Sequence, residues 1–191
     1  RSTMDSVTEY ELWKAIWSSL NEHNFYELEW TLGRHNEFVE QFPPVTFVGN
    51  HDVTRIATQV GADKIVLALA VLMTVGGVPL LYYGDEQGYT GTKKEKFRGD
   101  DEVRPLFPPT PEDMSGLGTW VRTAHQRLVD IRRRHPWLHR ARVTVTSISN
   151  ERITYTAEGD GQSISVELEI TGKPSVDIRD AEGIEYRYPR P

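Results

Sequence analysis

The chain has 191 residues, a net charge of −6 at pH 7, 38% hydrophobic and 26% charged residues, and no cysteine. Its acidity argues against nucleic acid as a main partner, because a phosphate backbone is met by a basic face. The lack of cysteine excludes disulfides, thiol catalysis and cysteine-ligated zinc; it fits a cytoplasmic protein without excluding a secreted one.

The sequence opens Arg1-Ser2-Thr3-Met4-Asp5, with neither an initiator Met nor an apolar leader, and reads as a piece of something longer or a processed product. Met4-Asp5-Ser6 reads as the tail of a short strand and its turn. Thr8-Glu9-Tyr10-Glu11 has the form of a capping box. A helix is predicted from it, with Tyr10, Trp13, Ile16, Trp17 and Leu20 on one buried face. Phe25, Leu28 and Leu32 continue the helical pattern until Pro43-Pro44 stops it. Val45-Thr46-Phe47-Val48 is then a buried strand that runs straight into Gly49-Asn50-His51-Asp52. Asp63-Lys64 opens an apolar helix to about Thr74. Val78-Pro79-Leu80-Leu81-Tyr82-Tyr83 reads as a second buried strand that ends in Gly84-Asp85-Glu86.

The stretch 65–83 carries no charge and is long enough to cross a bilayer. Gly76-Gly77 and Pro79 divide it, so two buried elements and no membrane span are predicted. Helix and strand alternate, and both strands exit into carboxylates. That pattern implies parallel strands with right-handed helical crossovers, and chemistry at the strand C-terminal ends.

Residues 84–116 have no usable periodicity, and a loop of that length is usually functional or disordered. Trp120, Ala124, Leu128 and Ile131 mark an amphipathic helix. It ends in Arg132-Arg133-Arg134-His135, read as a solvated, dipole-matched helix end, and Pro136 closes it. After Leu138 the pattern becomes period two, in runs near 143–146, 152–155, 163–170, 175–178 and 186–188 with Gly-rich turns between them. A small antiparallel β-domain with one wet face is predicted over 139–191, behind an α/β part over 1–138.

Asn50-His51-Asp52 can hydrogen-bond hydroxyls and set a negative charge beside a developing cation. The competing reading is a turn in which Asp52 caps a short helix through Ile56; spacing alone leaves both open. His51, Asp52, Asp85 and Glu86 supply no recognised metal pattern. The carboxylates at 85 and 86 can touch substrate or brace the first loop against an Arg or His, and Glu86 is assigned the brace. Asn50, His51, Arg55 and Asp85 are the substrate-contact candidates. Asp100, Asp101 and Arg104 lie in the long loop, where a solvated fate is expected.

Phe47-Val48-Gly49-Asn50-His51-Asp52, followed after one helix by Gly77-Val78-Pro79-Leu80-Leu81-Tyr82-Tyr83-Gly84-Asp85-Glu86, resembles the α-amylase family of glycoside hydrolases. The first stretch is similar to the family's motif at the end of barrel strand seven, the second to its strand-eight motif. Asp100-Asp101-Glu102-Val103-Arg104-Pro105 resembles the loop after strand eight in bacterial members. The resemblance covers roughly residues 1–140, and the β-rich remainder resembles the antiparallel domain that usually follows.

The resemblance implies a (β/α)8 TIM barrel, present here as about strands 6–8, and a retaining hydrolase or transglycosylase acting on α-glucans. Retention uses a carboxylate nucleophile and an acid/base around an oxocarbenium-like transition state. Asp52 matches the third carboxylate, which stabilises that state, with His51 on the same sugar and Asn50 holding the loop. The nucleophile's Arg-x-Asp motif after strand four and the Glu after strand five are not found. The chain alone is therefore expected to be inactive. It is expected to pair with an N-terminal barrel piece, or with itself, through open strand edges. The alternative is a non-catalytic carbohydrate-binding or interaction module derived from the family. Calcium is common in the family but its usual ligands lie mostly upstream, so no cofactor is assigned.

Overall fold

The structure is a computed structural model that describes residues 5–114 and 118–189. Three parallel segments lie side by side in chain order. Val45 N–H donates to Val7 O at 2.8 Å and Glu9 N–H donates to Val45 O at 2.9 Å, so Thr8 stands opposite Val45. β1 (Val45–Phe47) then pairs in parallel with β2 (Val78–Leu80), Phe47 opposite Leu80. The first parallel segment is thus Val7–Glu9 rather than Met4–Ser6, and Met4 falls outside the described residues.

This pairing changes the start of α1 (Tyr10–Glu22). Thr8 is held in extended pairing, the cap position passes to Glu9, and no side-chain cap bond forms. The predicted capping box is therefore absent. The buried face also differs from expectation. Leu12, Ala15, Ile16 and Leu20 take the core, while Tyr10 is exposed and Trp13 and Trp17 are half-buried. The aromatic rings lie along the margin, where Tyr10 and Trp13 pack on Phe47 with centroids 4.9 and 6.0 Å apart.

α2 (Tyr26–Gln41) packs on α1 and returns the chain to β1. Two buried groups join them: His35 Nδ1 lies 2.7 Å from Glu9 Oε2. After β1 come a short helix, α3 (Ile56–Val60), a single 3-10 turn (Ala62–Lys64) and α4 (Ile65–Thr74). Every residue of α4 is buried, which explains its unbroken apolar sequence. It ends at Thr74, and among the described residues no helix is long and apolar enough to cross a membrane.

α5 (Gly118–Arg134) covers α4 with Val121, Ala124, Leu128 and Ile131. Its basic end is not simply solvated. Arg132 is largely buried and its guanidinium donates to the carbonyls of Met73 (3.0 Å), Val75 (2.7 Å) and Gly77 (2.5 Å). These carbonyls end α4 and lead into β2, so a cation meets the negative pole of a neighbouring helix. Arg134 and His135 both reach Glu185, at 2.5 and 3.0 Å.

The remaining chain is an antiparallel meander of β3 (Arg142–Ile148), β4 (Arg152–Gly159), β5 (Gln162–Glu169), β6 (Ser175–Arg179) and β7 (Ile184–Tyr188), in that order across the sheet. Alternation works as predicted: Ile153, Tyr155 and Ala157 face inward, as do Ile164, Val166 and Leu168. The inner face shares one apolar core with α4, where Tyr155 OH lies 2.6 Å from Thr74 Oγ1.

The free edge of β3 is closed by a side chain. Asn36 Nδ2 donates to Val143 O and Asn36 Oδ1 accepts from Val143 N–H, both at 2.8 Å. One amide from α2 thus satisfies a strand residue as a neighbouring strand would. Asn36→Ala is expected to cost about 2 kcal/mol by leaving two buried backbone groups unpaired. Thermal unfolding would then fall by roughly 4–8 °C, and an unchanged midpoint would remove this role.

Candidate active site

The site forms where β1 ends. Gly49 has no room for a side chain, because a Cβ there would collide with the Asp85 carboxylate. Asn50 is buried; its Oδ1 accepts from Asp52 N–H at 2.8 Å and its Nδ2 donates to Tyr10 OH at 3.1 Å. Asn50 therefore makes the turn. Asp52 caps no helix, since α3 begins only at Ile56 with Arg55 in the cap position. Of the two readings left open by the spacing, the turn is present, made by Asn50, and the helix cap is not.

The turn leaves His51 and Asp52 facing out, with 61% and 51% of their side chains exposed and His51 Nε2 3.2 Å from Asp52 Oδ2. Arg104 grips this pair from the long loop. Its Nε donates to His51 O at 2.9 Å and its Nη2 to Asp52 Oδ1 at 3.0 Å. Asp100 holds Arg104 in place at 2.7 Å, and Lys93 is bonded to Asp100. The Lys93 ammonium, with Arg104 behind it, keeps the Asp100 carboxyl below the usual range. Asp100 and Arg104 remain partly solvated, as expected of the loop, but are also tied to Asp52. Asp101 does lie exposed, paired with Arg98 at 2.8 Å.

Arg55 and Asp85 are placed differently from the expected substrate contacts. Arg55 is 0% and Asp85 3% exposed, so neither faces an open surface. Arg55 Nη1 donates to Asp85 Oδ1 at 2.9 Å and to Tyr83 O at 2.6 Å. The guanidinium carbon sits 4.2 and 5.0 Å from the ring centroids of Tyr82 and Tyr83. Fully buried, this cation is met by a carboxylate and two π faces in place of solvent. Burial pushes the Asp85 carboxyl up to about 6, against the opposing pull of Arg55. The brace assigned to Glu86 is thus carried by Asp85. Glu86 instead accepts from Gly84 N–H at 2.8 Å.

The long loop is stitched to the first one. Arg55 N–H donates to Gly91 O (3.0 Å), Gly91 N–H to Thr58 Oγ1 (2.8 Å) and Lys93 N–H to Thr54 Oγ1 (3.1 Å). Tyr83 OH donates to Pro105 O at 2.7 Å. Sequence reading missed Lys93, Thr54 and Thr58. The last two look like ordinary turn residues, and only their threonine hydroxyls hint at the role. The site's chemistry is therefore an exposed carboxylate beside an imidazole, steadied by an arginine, on a buried ionic base.

A family model described as "Alpha amylase, catalytic domain" matches residues 4–141. The chain belongs to the α-amylase family. It is similar to "Alpha-amylase 3" of Dictyoglomus thermophilum, 27% identical over 158 residues, a match covering 77% of this chain and 32% of that protein. A "4-alpha-glucanotransferase" of Thermotoga neapolitana is 44% identical over 55 residues, covering 27% of this chain and 12% of the relative. Among solved structures, AmyP in complex with maltose superposes with a TM-score of 0.75 at 16% identity, over 96% of this chain and 47% of that one. An α-amylase from H. orenii gives 0.71 at 18% identity, over 87% and 39%. The chain spans about a third of the D. thermophilum α-amylase and a smaller share of the T. neapolitana glucanotransferase. The parallel segments are thus a part of an α-amylase-family TIM barrel, and the five-stranded sheet is the all-β domain that follows it.

Proposed function

We propose that this chain is the C-terminal portion of a retaining α-glucan hydrolase or transglycosylase, supplying one wall of its active site. The observation that carries the reading is the exposed Asp52 carboxylate, at a strand exit in the family's motif and steadied by Arg104. Asp52 would accept hydrogen bonds from the hydroxyls of a glucose ring. Those bonds strengthen as the ring flattens toward an oxocarbenium ion, which is how they lower the barrier instead of merely tightening binding. His51 would bind the same sugar, and Asn50 would keep both side chains presented. Arg55 and Asp85 would act through the loop, by fixing where β1 ends.

The two groups that attack and protonate the sugar are assigned to sequence outside this chain. So is the partner for β2, whose Val78 and Leu80 are 48% and 42% exposed beside a backbone edge with no strand on it among the described residues. The boundary between barrel portion and β-domain falls near 138–139 in this reading, in the 3-10 segment Pro136–Arg140.

The test is an assay on maltoheptaose with proton NMR of the released anomer. The 191-residue chain alone is expected to release nothing. A longer product that restores the barrel is expected to act with retention of configuration. Hydrolysis by the chain alone would refute the assignment of the missing groups. An inactive longer product that still binds maltoheptaose would favour the non-catalytic carbohydrate-binding module.

A further inference from the structure

A cleft of about 600 Å³ opens between the first turn of α2 and the β3–β4 turn, with no residue in common with the Asn50–Arg55 site. Its size lies within the range of small-molecule sites. Its walls are fixed. Phe25 N–H donates to Asn150 O at 3.0 Å, Arg152 N–H to Ser149 Oγ at 3.1 Å, and Ile170 N–H to Glu151 O at 2.9 Å. Its charges are answered locally. Arg152 pairs with Glu169 at 2.7 Å, and Glu151 is met by His23 at 3.1 Å and Thr171 at 3.0 Å. A free ion therefore finds no unpaired opposite charge in the lining.

The groups left over are neutral. The side-chain amide of Asn150 and the hydroxyl of Tyr26 have no partner among the described residues. Tyr26 is 49% exposed, and Trp30, one helical turn further along α2, is 61% exposed. Residues four apart on a helix share a face, so Trp30 extends the face of Tyr26 beyond the cleft as a short aromatic track. Arg34 backs the Trp30 ring at 5.1 Å and is itself anchored by Glu11 at 2.7 Å. Flat apolar rings beside neutral donors and acceptors suit a ligand with apolar C–H faces and many hydroxyls.

We propose that this cleft is a second carbohydrate-binding site, which takes a linear α-glucan across Tyr26 and Asn150. The α linkage rests on the function proposed for the first site; the cleft itself requires a neutral, hydroxyl-rich chain. It would hold substrate on the enzyme without taking part in bond cleavage.

The experiment is a 15N–1H NMR titration of the 191-residue chain with maltoheptaose, which reads each site separately. Shifts are expected at Asn150, Glu151 and the first turn of α2. Tyr26→Ala and Asn150→Ala, both at exposed side chains, are expected to weaken that set about tenfold. Asp52→Asn is expected to leave it unchanged. No shifts around Asn150, shifts that survive both cleft variants, or shifts lost with Asp52→Asn would each overturn the proposal. Equal binding of cellohexaose, a β-linked chain, would overturn the α-glucan assignment. Failure here, with Asp52-dependent hydrolysis intact in the longer enzyme, would remove the cleft and leave the first site standing.

Discussion

Replacing Asp52 by Asn, in a longer product with the barrel restored, is expected to lower kcat about 10²–10³-fold. The amide keeps the size of the side chain and removes its charge and one acceptor. The role proposed for Asp52 is stabilisation of a state that carries positive charge on the sugar, so the loss should fall on kcat more than on KM. The thermal midpoint should hardly move, because half of the side chain is exposed and no buried group depends on it. Arg104→Ala is expected to do less, about tenfold. It frees Asp52 Oδ1 and the His51 carbonyl without removing either. Activity of Asp52→Asn within a factor of three of wild type would sink the assignment, whatever happens with Arg104.

The largest effect on stability is expected at Arg55. Arg55→Ala leaves Asp85 buried without its cation and empties the space beside Tyr82 and Tyr83. Removing one partner of a buried pair costs about 3–5 kcal/mol, readable as a lower urea midpoint at unchanged slope. The pair also has a pH signature. Asp85 holds its proton to about 6 in the folded chain, whereas an unfolded Asp titrates near 3.9. Between those values the folded state binds more protons than the unfolded state. The contribution of Asp85 to stability therefore falls as pH rises through that window and levels off above it. Asp85→Asn should abolish this component, so the stability difference between wild type and variant should decline from pH 4 to pH 6. A difference that rises over that interval would mean that Arg55, and not burial, governs the carboxyl.

Much of this architecture was legible in the residues. Period-two runs located all five strands of the sheet, and the uncharged run after Asp63 gave a fully buried helix. The family motifs put Asn50, His51 and Asp52 at a strand exit, where they are. The errors share a cause. Thr8 looks like a cap from its neighbours in sequence, but Val45, 37 positions away, bonds the backbone of Val7 and Glu9 on either side of it. Arg132 looked like part of a solvated basic end because nothing in its own helix says that the carbonyls of Met73, Val75 and Gly77 lie within reach. Arg55 and Asp85 looked like substrate contacts because polar residues at strand exits usually face the ligand. Only packing decides which of them end up underneath. Local periodicity carries which face is apolar; it does not carry which distant polar group will meet a given cation.

The stitches between the two loops restrict how this site can diversify. Thr54, in the loop after β1, and Thr58, in α3, lie in one segment and Gly91, Lys93 and Arg104 in another, yet each segment completes the backbone bonding of the other. A segment spanning 84–114 moved from this chain into a relative would arrive without the hydroxyls of Thr54 and Thr58 that receive it. Recombination, natural or engineered, would have to transplant both loops as a unit, although a whole helix separates them in the chain.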